Sequence, residues 1–198
     1  MNPKATTEEG MPPELRSRMP QALSLAGLRR EQVQKPTLFV GSGTCGLGAG
    51  AAETLEAIRA FLTENGLSAD VVEVGCIGLC AAEPLVDIQL PGRNRVCYAQ
   101  ITQDKVPSLL EPLCQDSYPS EGAIFQFEGP GTRALENVES MAEHPFFGPQ
   151  RRIVLQNCGL IDPGSMDEYM ARGGYSPLAK TLKSTTPDER CEQIERSG

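Results

Sequence analysis

Thr37-Leu-Phe-Val-Gly-Ser-Gly-Thr-Cys-Gly46, followed later by Val74-Gly-Cys-Ile-Gly-Leu-Cys80, decides how this chain is read. Leu38, Phe39 and Val40 form an apolar run that reads as a short buried strand. It turns through glycines into a helix-like stretch from Ala51. The second segment follows another β-branched run, Val71, Val72 and Val74, so each cysteine-bearing turn sits at the end of a strand.

Working outward, Ala51–Asn65 places Leu55, Ile58, Phe61 and Leu62 on one helical face, and Gly66 stands where a C′ glycine ends a helix. Val71–Val74 is a second strand. Leu85-Val-Asp-Ile-Gln-Leu90 alternates with period two, Pro91-Gly92 turns, and Arg95–Ile101 reads as the partner strand. Asp104–Leu113, with Val106, Leu109, Leu110 and Leu113 apolar, reads as a closing helix. This β-α-β-β-β-α order predicts an α/β fold of the thioredoxin-like type, a small sheet with helices packed on it.

Four sections follow from composition. Residues 1–35 are a polar extension with weak helical periodicity from Pro12 to Gln34; residues 36–114 are the α/β unit; residues 115–150 are a linker broken by Pro119, Gly122, Gly129, Pro130, Gly131 and Pro149. Residues 151–198 open on a strand-like Arg152-Ile-Val-Leu155 and continue as a partly helical segment. Helices are expected around Met166–Arg172, Pro177–Lys183 and Pro187–Arg196, with Ser165 (or Asp162) starting the first and Thr186-Pro187 the last.

The formal net charge of -8 argues against a nucleic-acid partner, because phosphate binding needs a basic face. No apolar run of about 18 residues predicts membrane insertion, and no leader-like apolar core is evident. Seven cysteines, an odd number without dense pairing, suit a cytoplasmic chain in which thiols serve as metal ligands or buried residues.

Cysteines at the ends of two strands can converge, and thiolates are the usual ligands of iron–sulfur clusters. Four are normal for a [2Fe–2S] cluster, and these turns offer three: Cys45, Cys76 and Cys80. Gly75 and Gly78 let the second turn wrap tightly and aim N–H groups at sulfur. Zinc is the alternative metal, but its structural sites also want four ligands. A fourth donor would have to be Cys97, a serine such as Ser42, or water, so only weak cluster binding is expected. Cys97 and Cys114 read as packing residues, and the single histidine, His144, as a surface residue rather than a ligand. Gly41-Ser-Gly43-Thr-Cys-Gly46 also matches G-x-G-x-x-G between a strand and a helix, which leaves a nucleotide-binding turn open. No nucleophile–base pair is evident.

Gly75-Cys-Ile-Gly-Leu-Cys-Ala-Ala-Glu-Pro-Leu-Val86 resembles the second half of the cluster loop in thioredoxin-like [2Fe–2S] ferredoxins. Arg152-Ile-Val-Leu-Gln-Asn-Cys-Gly-Leu-Ile-Asp-Pro163, with Asp167–Tyr175 and Leu178-Ala-Lys180, resembles the lead-in to the NADH-binding flavoprotein subunit of complex I. It is most similar to the relatives in NAD(P)-linked hydrogenases and formate dehydrogenases, where a ferredoxin-like domain precedes the flavin domain. The resemblance implies 151–198 as the start of such a flavin domain, truncated at Arg196-Ser-Gly198, before the FMN loop and the NADH site. It matches Cys76 and Cys80 to ligand positions and Cys45 more loosely, with Gly41 where a further cysteine would stand. It implies a segment of an NADH dehydrogenase-type (diaphorase) subunit, acting in electron transfer or docking beside the other subunits of an NAD(P)-linked oxidoreductase complex and not catalytic alone. FMN and NAD(P)H would belong to the missing C-terminal part. Two other readings stay open: an isolated nucleotide-binding module using Gly41–Gly46, or a cluster-free structural interaction domain.

Overall fold

The computed structural model describes residues 25–198; the part of the N-terminal helical expectation that falls on 12–24 lies outside the described residues. The first described element is a single helical turn, α1 (Leu25–Leu28). Five strands then form one mixed sheet in the order β2-β1-β3-β4-β5. These are β1 (Thr37–Gly41), β2 (Asp70–Val74), β3 (Val86–Gln89), β4 (Arg95–Tyr98) and β5 (Ala123–Phe127). Strand β2 runs parallel to β1, and every other pairing is antiparallel. The α/β class and the β-α-β-β-β order read from the sequence are therefore those of the molecule.

Between the parallel strands lie α2 (Thr44–Gly48) and α3 (Ala51–Glu64). Helix α3 ends as its sequence demands. Gly66 takes φ +62°, and the N–H groups of Gly66 and Leu67 return to the carbonyls of Thr63 and Leu62. That pair of bonds is a Schellman closure, which satisfies carbonyls left open at a helix end.

Strand alternation sorts the sheet into two unlike faces. Leu38, Val40, Ile88, Val96 and Tyr98 point to one side, where Leu55, Ile58 and Leu62 of α3 and Val106, Leu109 and Leu110 close a single apolar core. Burying each such aliphatic side chain stabilises the fold by about 1.5–3 kcal/mol. On the other side the register aligns Phe39, Asp87, Cys97 and Phe125 across four strands. This face is covered by loops: Ile77 from the cysteine turn and Phe147 from the later chain pack with Cys97 and Phe125.

Three local expectations differ from the structure. The closing helix is broken into a 3-10 turn (Gln103–Lys105), a short α4 (Val106–Leu110) and a second 3-10 turn (Glu111–Gln115). Pro112 is the cause, because it has no N–H to give and its ring clashes with the preceding turn. The 3-10 geometry also turns Cys114 outward while Leu113 stays buried, so Cys114 is not a packing residue. Residues 152–155 are turns rather than a strand, with Ile153 and Val154 67% and 92% exposed. Conversely, Ala-Ile-Phe-Gln-Phe at 123–127 adds a strand to the sheet from within the stretch read as loop.

Downstream come α5 (Met166–Ala171), α6 (Ser176–Ser184) and α7 (Pro187–Ser197). Ser165 caps α5 by accepting from Glu168 N–H, and Thr186 with Glu189 forms a reciprocal capping box on α7. Helix α5 is tied back to the start of the described chain: Arg30 pairs with Glu168 at 2.8 Å, and Arg172 donates to Arg29 O at 2.6 Å. Among the described residues, no helix is long and apolar enough to cross a membrane.

Candidate metal centre

Strands β1 and β2 lie side by side and in parallel, so the turns that follow them emerge at the same sheet end. Ser42 N–H donates to Val74 O at 2.9 Å, stitching the first turn to the second. At this end the sulfurs of Cys45, Cys76 and Cys80 all lie within 4.8 Å of one another, with Cys76 and Cys80 3.7 Å apart. Cys45 and Cys80 are exposed and Cys76 is half-buried. The three candidate ligands named from the sequence are thus brought together.

The glycines explain themselves in the same geometry. A Cβ on Gly43 would sit 3.0 Å from Cys76, and one on Gly46 would fall 1.9 Å from Gly41 O. Their role is close chain packing beneath the thiols. The single parallel strand pair is followed by an antiparallel hairpin, so the reversal of strand order that builds a dinucleotide crevice is not formed here. The Gly78 N–H donates to Cys76 Sγ at 3.3 Å, the kind of bond that tunes a bound centre.

Burial pushes the Cys76 thiol up, with further contributions from neighbouring Cys80 and Glu83. The Cys80 thiol is raised first by its hydrogen bond with Cys45. Burial at Cys76 and the hydrogen bond at Cys80 favour the protonated thiols; a metal that replaces those protons removes the need for them. The donor set fits an iron–sulfur group by its chemistry, since soft thiolates select such clusters and zinc.

The other cysteines do not join the group. Cys97 is fully buried between Asp87 and Phe125, and burial raises its thiol well above its ordinary value. Ser42 donates to Val40 O at 3.3 Å. His144 is half-buried, its ring 5.4 Å from Phe125 and 5.5 Å from Phe147, so it belongs to an aromatic cluster rather than to the open surface.

One residue was missed from sequence. Glu83, which follows the C-x3-C turn, is only 6% exposed and packs against Gly41 and Gly46 at the Cys45 turn. Its Oε2 accepts from Leu85 N–H at 2.8 Å, while Oε1 has no hydrogen-bond partner. Its only signal in the chain was an acidic residue set between small apolar residues and Pro84, Leu85 and Val86.

The loop-covered face fastens the cysteine turn to the later chain. Arg95 donates through Nε to Asp87 at 2.7 Å and through Nη2 to Gly159 O at 2.6 Å, with its guanidinium 3.6 Å over the Phe39 ring. Gly159, at φ +78°, lies so close that a Cβ there would meet Ile77 Cγ2 at 2.0 Å.

No family model matches the chain. Among curated proteins it is 30% identical over 91 residues to NADP-reducing hydrogenase subunit HndB of Solidesulfovibrio fructosivorans, a match covering 46% of this chain and 72% of HndB. It is 51% identical over 49 residues to subunit HndC of the same organism, covering 25% of this chain but 10% of HndC. Among solved structures, the thioredoxin-like [2Fe–2S] ferredoxin from Aquifex aeolicus matches with 19% identity and a TM-score of 0.41, over 50% of this chain and 99% of that one. A second structure of that ferredoxin, the wild type at 1.5 Å, gives 20% identity and a TM-score of 0.39, over 46% of this chain and 98% of that one. By its match to most of HndB, the chain belongs to the family of NAD(P)-linked hydrogenase subunits related to the complex I flavoprotein.

Proposed function

We propose that this chain is an electron-transfer or docking segment of an NAD(P)-linked, multisubunit oxidoreductase, holding an iron–sulfur centre at Cys45, Cys76 and Cys80. The observation that carries the reading is the convergence of those three sulfurs within 4.8 Å at an exposed sheet end. Membership of the HndB family supports it, as that relative is a subunit of an NADP-reducing hydrogenase. A bound cluster would supply one-electron chemistry; the protein's part is to place it at the surface, tune it and present it to a neighbour.

In this reading residues 36–114, completed by β5, form the ferredoxin-type domain, and 151–198 are the lead-in to a flavin domain. The exposed apolar residues Ile153, Val154 and Leu155 suit that role. The Gly41–Gly46 turn then binds no nucleotide, and calorimetric titration showing micromolar affinity for FMN or NADH, abolished by Gly43→Val, would restore the nucleotide-binding alternative.

The direct test is anaerobic reconstitution with iron and sulfide, followed by metal analysis and EPR of the reduced protein. Iron and sulfide retained by the wild type and lost in Cys76→Ser or Cys80→Ser support the reading. Zinc without sulfide, or no metal at all, overturns it in favour of a structural interaction domain.

A further inference from the structure

The cysteine group is one ligand short, and the residue filling the space beside it is an acid. We infer that Glu83 is the fourth protein ligand of this centre, giving a three-thiolate, one-carboxylate site. The inference rests on the iron–sulfur reading above and goes beyond it.

Three observations converge on Glu83. Its carboxylate is nine-tenths buried, and one oxygen, Oε1, has no hydrogen-bond partner. Leaving a buried carboxylate oxygen unpaired is costly, and a metal ion is one of the few partners that repays it. The other oxygen is fixed by Leu85 N–H at 2.8 Å, which holds the group in place.

Gly41 supplies the third observation. Its backbone does not take a positive φ, so no conformational demand calls for glycine there. What a side chain there would meet is Glu83: the three atoms nearest a Cβ at Gly41 are Oε2 at 2.8 Å, Oε1 at 3.3 Å and Cδ at 3.4 Å. Gly46 is bounded by the same Oε2, at 3.3 Å from its Cβ position. The carboxylate therefore occupies the volume that a ligand from the end of β1 would fill, at the floor of the Cys45 turn. A hard oxygen donor among three soft sulfurs makes one iron unlike the other, which spectroscopy reads directly.

The test uses the full chain. Wild type, Glu83→Gln and the exchange Gly41→Cys/Glu83→Ala are reconstituted with iron and sulfide under argon. Glu83→Gln keeps the acceptor for Leu85 N–H but removes the anionic donor. The wild type should hold two irons per chain, and Glu83→Gln should lose at least half of them or shift the EPR g values of those it keeps. The exchange variant should regain two irons with g values distinct from the wild type, because an all-thiolate set has replaced a mixed one. Circular dichroism of the metal-free proteins checks that the folds match. Two irons with unaltered g values in Glu83→Gln overturn the assignment while leaving the iron–sulfur reading intact. Should Glu83→Gln fail to fold, an exchange variant with the wild-type spectrum overturns it equally. No iron in the wild type overturns the iron–sulfur reading and this assignment together.

Discussion

On one face of the sheet, Leu38, Val40, Ile88 and Val96 meet the aliphatic stripe of Ala51–Glu64; on the other, one residue along each strand, stand Phe39, Asp87, Arg95 and Cys97. The first face is closed by helices through non-directional burial, and any well-shaped apolar set of similar volume would serve. The second is closed by loops through a smaller apolar cluster joined by an ion pair, a carbonyl bond and ring stacking, each of which fixes a position. The difference shows where this molecule keeps its specificity. The apolar face makes the domain, and the polar face joins the cysteine turn to residues more than sixty positions downstream.

The largest test of that contrast is Arg95→Ala. It strands the buried Asp87 carboxylate and frees Gly159 O, so urea unfolding should show a loss of about 3–5 kcal/mol. A loss under about 1 kcal/mol would mean that the loop-covered face contributes little. Ile58→Ala probes the other face. Cavity formation should cost about 3 kcal/mol while the alkylation rates of Cys76 and Cys80 in the folded state stay unchanged, since the Ile58 side chain is held by apolar packing on the helix-covered face.

Gly159→Ala sharpens the comparison further. The positive φ and the contact with Ile77 should cost about 1–3 kcal/mol, and hydrogen exchange should quicken at 75–80 more than in α3. Equal effects in both places would break the division between the faces.

The smallest effect concerns the polar group inside the apolar core. Tyr118 donates to Asn94 O at 2.6 Å and accepts from Leu90 N–H at 3.0 Å, and burial pushes its phenol up to about 12. Between pH 10 and 12 the folded chain keeps this proton while the unfolded chain releases it. Its contribution is therefore complete below pH 10 and falls as pH rises through that window. Tyr118→Phe should cost about 1 kcal/mol at neutral pH and flatten the alkaline decline in stability.

Much of this architecture was legible in the chain because its signals are local. The stripe Leu55, Ile58 and Leu62, the closure at Gly66, the alternation of 85–90 and the caps at Ser165 and Thr186 act within a few residues of themselves. Where local signal and tertiary need diverged, the reading failed. Val154 and its neighbours have the composition of a strand but stand exposed and pair with none, whereas Ala123–Phe127, between turn-rich stretches, joins the sheet beside β4. Pro112 divided a helix whose apolar periodicity ran straight through it.

The sequence by itself determined the strand and helix order and the three cysteines at strand ends, because side-chain periodicity and turn chemistry are written in near neighbours. Only the tertiary structure decided that the three sulfurs meet, that Cys97 faces away into the loop-covered core, and that Glu83 fills the space beside Gly41. The physical reason is that these facts depend on which strands lie side by side and in which register. A shift of one residue in β4 would have exchanged Cys97 with Val96 and carried Arg95 off its partner.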